Sequence, residues 1–158
     1  MSVLSKVKPP VLLDVNVLIG LLDDESPFHQ IALNWFKGMA STQAWATCPI
    51  VENGFIRIVS GSKYSGGRSS PEDASSVLTA LKGYSPSYAF WPDSISLCDG
   101  NLFNLELLHG SSQLTDAYLL GLCKANKGQL ATFDKKITPL GIVNPPKNLI
   151  QLVSSSQV

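Results

Sequence analysis

Several common signposts are missing from this chain of 158 residues. It carries no excess charge, with 12 basic residues against 12 acidic ones, so it lacks the global basic footprint by which many nucleic-acid binders attract phosphate. Cysteine is scarce. The three present, Cys48, Cys98 and Cys123, are odd in number, widely spaced and without a C-x-x-C pair, which disfavours a disulfide framework and a zinc site and fits a reducing, cytoplasmic compartment. Histidine is scarcer still, with two residues: His29 falls between apolar positions with no ligand partner nearby, and His109 precedes Gly110 as an element terminus. No apolar run is long enough to span a bilayer, and residues 1–10 hold Lys6, Lys8, Pro9 and Pro10 but no apolar signal segment, so neither export nor a membrane partner is expected. What is present is 44% hydrophobic residues, enough for the core of one domain. The expected layout is an N-terminal lead over residues 1–10, a domain over 11–153 and a frayed tail over 154–158.

The chain is organised around VLLDVNVLIGLL, residues 11–22. A strand-like apolar triplet is followed by Asp14 and Asn16, after which apolar character resumes. These polar residues sit where a buried strand gives way to a helix, the place at which open α/β sheets bind ligands. Asp and Asn are also favoured helix N-caps, so the residues themselves leave a structural role open.

Downstream, helical spacing of Phe28, Ile31, Ala32, Trp35 and Phe36 predicts an amphipathic helix over residues 28–37. A strand is expected over 45–47, then a helix opened by Pro49 with an apolar stripe of Ile50, Val51, Phe55, Ile58 and Val59. Glu52 falls in its first turn, where the helix dipole favours negative charge by about 0.3–1 kcal/mol. Residues 61–70, GSKYSGGRSS, read as a mobile, solvated connector whose Lys63, Tyr64 and Arg68 have the chemistry to touch an RNA backbone. Ser70 and Pro71 open a helix with Ala74, Val77, Leu78 and Leu81 facing inward and Gly83 as its stop. A strand follows over 88–91, and Asp93 and Asp99 read as turn residues. A loop with a short helical piece over 100–112 leads to QLTDAYLLGLCKANKG, a largely buried helix with Asp116 in its first turn, and then to a strand over 129–133 ending at Asp134. Residues 142–143 and 149–153 are expected as short edge strands separated by Pro145 and Pro146. There is no internal repeat.

Each candidate acid thus stands at an end of an element. In a parallel sheet with crossover helices, strand carboxyl ends and helix amino ends share one edge, so Asp14, Glu52, Asp116 and Asp134 are expected to converge. Two carboxylates about 4 Å apart repel by roughly 4 kcal/mol at an effective dielectric near 20, so the set calls for a cation. Oxygen ligands without Cys or paired His point to Mg²⁺ or Mn²⁺, and the reaction class is metal-assisted phosphodiester hydrolysis. Committing these acids to metal leaves a modestly basic remainder for an RNA substrate.

LLDVNVLIGLL resembles the opening motif of the PIN-domain nucleases, in particular the VapC-type toxin ribonucleases. PIVENGFIRIVS resembles their second acidic motif, in which the Glu is a metal-site carboxylate, TDAY the third, and LATFD the fourth, with Thr132 as hydroxyl support and Asp134 as the last carboxylate. The resemblance covers residues 11 to about 134 with the acids in order, while the lead over 1–10 departs from VapC-like chains that begin almost at the first strand. It implies a single α/β PIN-like domain with a central parallel sheet flanked by helices, ribonuclease activity, a homodimer, and inhibition by a cognate antitoxin. Asp14 and Asp116 are then the principal metal ligands, Glu52 a direct or water-mediated ligand, and Asp134 an outer ligand or water positioner, with Asn16 orienting Asp14. The rivals are a PIN-like module that binds RNA or protein without cutting, and an acidic-pocket phosphotransfer protein. Against the latter, a haloacid-type phosphatase wants Asp where Asn16 stands, and Lys135 follows Asp134 where a receiver needs its Lys after another strand.

Overall fold

In a computed structural model of the chain, residues 7–65 and 69–155 are described. Lys6 and most of the expected lead, Arg68, and residues 156–158 of the expected tail lie outside them. Val11–Leu13 forms strand β1, every residue of it buried, because it is the middle strand. On one side Val11 and Leu12 pair with Trp45 and Ala46 of β2 (Trp45–Thr47), and on the other all three residues pair with Gln129, Leu130 and Ala131 of β4 (Gln129–Thr132). β3 (Tyr88–Phe90) pairs with β2 and β5 (Ile150–Leu152) with β4, every pairing parallel, giving the order β3-β2-β1-β4-β5. The order reverses direction between β1 and β4, which opens a crevice at their carboxyl ends.

Helices make the crossovers, α1 (Val15–Leu22) and α2 (His29–Ala40) from β1 to β2, and α3 (Pro49–Val59) and α4 (Pro71–Lys82) from β2 to β3. Pro49 and Pro71 occupy first-turn positions, where a missing N–H loses nothing, and Ser70 Oγ caps α4 by accepting the Asp73 amide at 3.0 Å. α5 (Leu114–Ala125) leads into β4 after single 3₁₀ turns at Leu105–Leu107 and Ser111–Gln113. Because parallel crossovers are right-handed, the reversal of strand order assigns α5 to the sheet face opposite the earlier helices. Its run of buried residues from 117 to 123 follows: one side lies on the sheet and the other receives Phe103. A Cβ on Gly121 would stand 2.3 Å from Phe103 Cζ, so this approach requires glycine.

The expected single domain with a central parallel sheet is what forms. Trp45 anchors the opposite side of the core, edge-on to Phe36 at 5.2 Å and 4.8 Å from Tyr88. His29 is a packing histidine, donating from Nδ1 to the Gly20 carbonyl at 2.8 Å. Two expectations fail. Residues 142–143 are not a strand but an isolated antiparallel bridge, Phe103 with Ile142. The Ile142 amide turns back on Pro139 and the prolines at 145 and 146 follow, so no ladder has room to extend. Phe28, Ile58 and Val77 were expected inward but are 48%, 39% and 43% exposed; α4 buries only the narrow i, i+4 stripe of Ala74 and Leu78, leaving Ile58 and Val77 beyond the contact, while Phe28 precedes α2 and lies against the Phe133 ring at 4.9 Å. Among the described residues no helix is long and apolar enough to cross a membrane.

Candidate active site at the carboxyl edge of the sheet

Asp14 is both a helix cap and a buried carboxylate. Its Oδ1 accepts the Val15 amide at 2.8 Å, and its Oδ2 accepts the Thr132 hydroxyl at 2.7 Å. Thr132 ends β4, is fully buried, and is saturated: it donates to Asp14 and accepts from Asn16 Nδ2 at 3.2 Å and from the Asp134 amide at 3.1 Å, which uses a hydroxyl's one donor and two acceptor positions. Asn16 Oδ1 takes the Phe133 amide at 3.2 Å, fixing which way the side-chain amide faces. Asn16 is therefore linked to Asp14 through Thr132 and not by a direct hydrogen bond. Asp134 is exposed and accepts the Lys136 amide at 2.8 Å.

Asp116, half-buried in the first turn of α5, completes a group of three. Burial pushes the Asp116 carboxyl up from its ordinary value, and the charges of Asp14 and Asp134 push it further. Asp14 is raised too, chiefly by burial, partly offset by its bonds from Thr132 and Val15, with Asp134 adding repulsion. Asp14 and Asp116 thus both feel the charge of Asp134 at the reversal point of the sheet. Asp116 and Asp134 line a cleft of about 210 Å³ with Ser112, Gln113, Lys136 and Thr138.

Glu52 is placed differently. It lies in the first turn of α3 at the end of β2, next to β1, but its Oε2 accepts from Lys82 Nζ at 2.6 Å and from Thr47 Oγ1 at 2.5 Å. Thr47 in turn is 2.7 Å from the Tyr88 hydroxyl. Lys82 comes from the last turn of α4. Burial works against its charge, but Glu52 and Tyr88 together outweigh that and hold the ammonium above its ordinary range. Sequence reasoning missed Lys82, Thr47 and Tyr88. A signal existed for Thr47, since β2 and β4 both end in Ala-Thr, WAT and LAT, and both threonines donate to a site acid.

Among the described residues no three His, Cys, Asp or Glu side chains form a ready cage for an ion. The donor set nevertheless fits Mg²⁺ or Mn²⁺. It is all oxygen, it carries mutually repelling charge that a cation would relieve, and Mg²⁺ in particular keeps several waters and takes only one or two carboxylates from a protein. The profile of the PIN domain family matches residues 11–141.

The chain belongs to the PIN-domain family.

The matched span contains Asp14, Glu52, Asp116 and Asp134. Among PIN relatives, the chain is 38% identical over 128 residues to ribonuclease VapC44 of Mycobacterium tuberculosis, covering 80% of this chain and 87% of the relative. It is 36% identical over 143 residues to ribonuclease VapC38 of the same organism, covering 90% and 97%. In fold it is similar to the crystal structure of VapBC2 from Rickettsia felis bound to a DNA fragment from their promoter, with a TM-score of 0.61 and 17% identity over 92% of this chain and 99% of that one.

Proposed function

We propose that this PIN-domain chain is a Mg²⁺- or Mn²⁺-dependent endoribonuclease that hydrolyses RNA phosphodiester bonds and acts as the toxin of a toxin–antitoxin pair, with a cognate antitoxin as protein partner, a homodimer as its working form and the cytoplasm as its setting. One observation carries the reading: Asp14, Asp116 and Asp134 stand together at the crevice of a parallel sheet, where the charge of Asp134 pushes both Asp14 and Asp116 up and that of Asp14 adds to Asp116. Relatives named as ribonucleases, matched over most of their length, supply the substrate class.

In this reading Asp14 and Asp116 are the principal metal ligands, Asp134 an outer ligand or water positioner, and Glu52 a direct or water-mediated ligand. A bound divalent ion supplies activation of the attacking water and neutralisation of charge at the phosphate. The protein's part is orientation. Thr132 fixes the Asp14 carboxylate, Asn16 fixes Thr132, and the amide of Asp134 ties the cleft wall to the same hydroxyl. Lys136, on the cleft lining beside Asp134, offers positive charge to a phosphate.

The test is cleavage of single-stranded and structured RNA by the wild type, Asp14→Asn and Asp116→Asn, each with and without chelator. Cutting confined to the metal-loaded wild type is expected. Equal cutting in every sample rejects the assignment, and RNA binding without metal uptake or cutting by any of them replaces it with the non-catalytic module.

A further inference from the structure

Of the four carboxylates at the edge, Glu52 is the one whose ion pair the described residues show, with Lys82. Glu52 sits at the end of β2, immediately beside β1, and neighbouring strands run about 4.8 Å apart. Glu52 thus stands on the helix that follows the strand beside the one carrying Asp14, yet its carboxylate is turned toward β3 and held there by Lys82 and by Thr47, which is itself tied to Tyr88. We propose that Lys82 is a built-in counter-ion for Glu52, which a divalent cation must displace before the fourth carboxylate can join the other three.

The inference rests on the metal-dependent reading given above, and three observations carry it beyond that reading. The first is the pairing itself, at 2.6 Å between side chains that are 25% and 20% exposed. Such a pair holds Glu52 by only a modest margin, and a doubly charged ion outbids a single ammonium for the same oxygen. The second is that displacement does not strand the lysine. Its Nζ already lies 5.7 Å from the Tyr88 ring centre and 5.6 Å from that of Phe90, so the ammonium retains an aromatic resting place after the carboxylate leaves. The third is that Phe90 is exposed at the carboxyl end of β3, on the edge that holds the carboxylates. A released Lys82 therefore stays beside the crevice, facing a phosphate instead of an acid.

Two consequences follow. Metal-free protein holds the fourth carboxylate away from the crevice, which limits repulsion among the acids before an ion arrives. Metal uptake is correspondingly weaker than a free Glu52 would allow.

The experiment labels lysines of the folded protein with an amine acetylating reagent and reads Lys82 by mass spectrometry, alongside Mn²⁺ binding measured by electron paramagnetic resonance. Mg²⁺ is expected to raise Lys82 labelling several-fold in the wild type, because an amine held by a carboxylate reacts slowly. Glu52→Gln should label at the high rate with or without Mg²⁺. Lys82→Met should bind Mn²⁺ roughly fivefold more tightly, Lys82→Arg should bind as the wild type does, and the gain should vanish in Glu52→Gln/Lys82→Met. Mn²⁺ binding that depends on Asp14, with Lys82 labelling unmoved by Mg²⁺ and affinity unmoved by Lys82→Met, overturns the counter-ion role and leaves the metal reading intact. Absence of Mn²⁺ binding in the wild type overturns both.

Discussion

The two halves of the sheet's carboxyl edge solve the same electrostatic problem in different ways. At the ends of β2 and β3 an acid, a threonine, a tyrosine and a lysine close on one another, and Glu52 needs nothing from outside. At the ends of β1 and β4 a threonine again supports the acid, but among the described residues no ion pair holds it, and burial with neighbouring negative charge pushes Asp14 and Asp116 up. A protein selected for stability alone would have balanced both halves. In the function proposed above, the unbalanced half is the one an external cation would complete.

The largest expected effect breaks the symmetry outright. Asp14→Asn or Asp116→Asn should lower RNA cleavage by roughly 100-fold or more in single-turnover assays, since several kcal/mol of charge stabilisation depend on the bound ion. Glu52→Gln should lower it by about tenfold, the scale of a supporting contact. Equal losses would mean that the two halves do the same job.

Next come the matched threonines. Thr132→Val keeps the shape but removes the partner of Asp14 Oδ2, of Asn16 Nδ2 and of the Asp134 N–H. It should cost about 1–3 kcal/mol in urea unfolding and about 10–100-fold in cleavage. Thr47→Val removes a support from an acid that keeps its lysine, so its effect should be near 1 kcal/mol on stability with cleavage within a few-fold of wild type.

A smaller but sharper contrast is one of sign. In metal-free protein Asp14→Asn should raise Tm, because Asn caps a helix as well as Asp and the repulsion is gone, each kcal/mol released appearing as about 2–4 °C. Glu52→Gln should lower it by a comparable amount. Folding raises Asp14 and Asp116 above their ordinary value of 3.8, so the folded state holds those protons more tightly than the unfolded chain. Their contribution is full below the ordinary value and is lost as pH climbs through the raised ones. Thermal melts of metal-free protein should therefore show that loss, and Mg²⁺ should flatten it.

Much of this was legible in the sequence because it lies in local chemistry. Pro49, Pro71 and Ser70 announce helix starts by backbone geometry, and the apolar triplet before Asp14 announces a central strand, so element types and the parallel sheet could be anticipated. Asp14, Asp116 and Asp134 could be placed together since strand ends and helix starts share an edge. What could not be read was whatever depends on side-chain reach. Lys82 looks like an ordinary basic residue in a helix's last turn, and only the packing of α4 against α3 brings it to Glu52. Ile58 and Val77 obey helical spacing yet stay exposed, because periodicity gives the direction of a face and not the width of its partner. Residues 142–143 look β-branched enough for a strand, but prolines on both sides limit them to one bridge.

The bond from Thr132 to Asp14 joins positions 118 residues apart. On the ribosome, where amino-terminal segments emerge first, β1 can appear and even meet β2 long before β4 exists. The crevice cannot form until most of the polypeptide has left the exit tunnel. Truncated translation products ending before residue 129 would lack Thr132 and Asp134 altogether and could not build the bond that joins the first strand to the fourth.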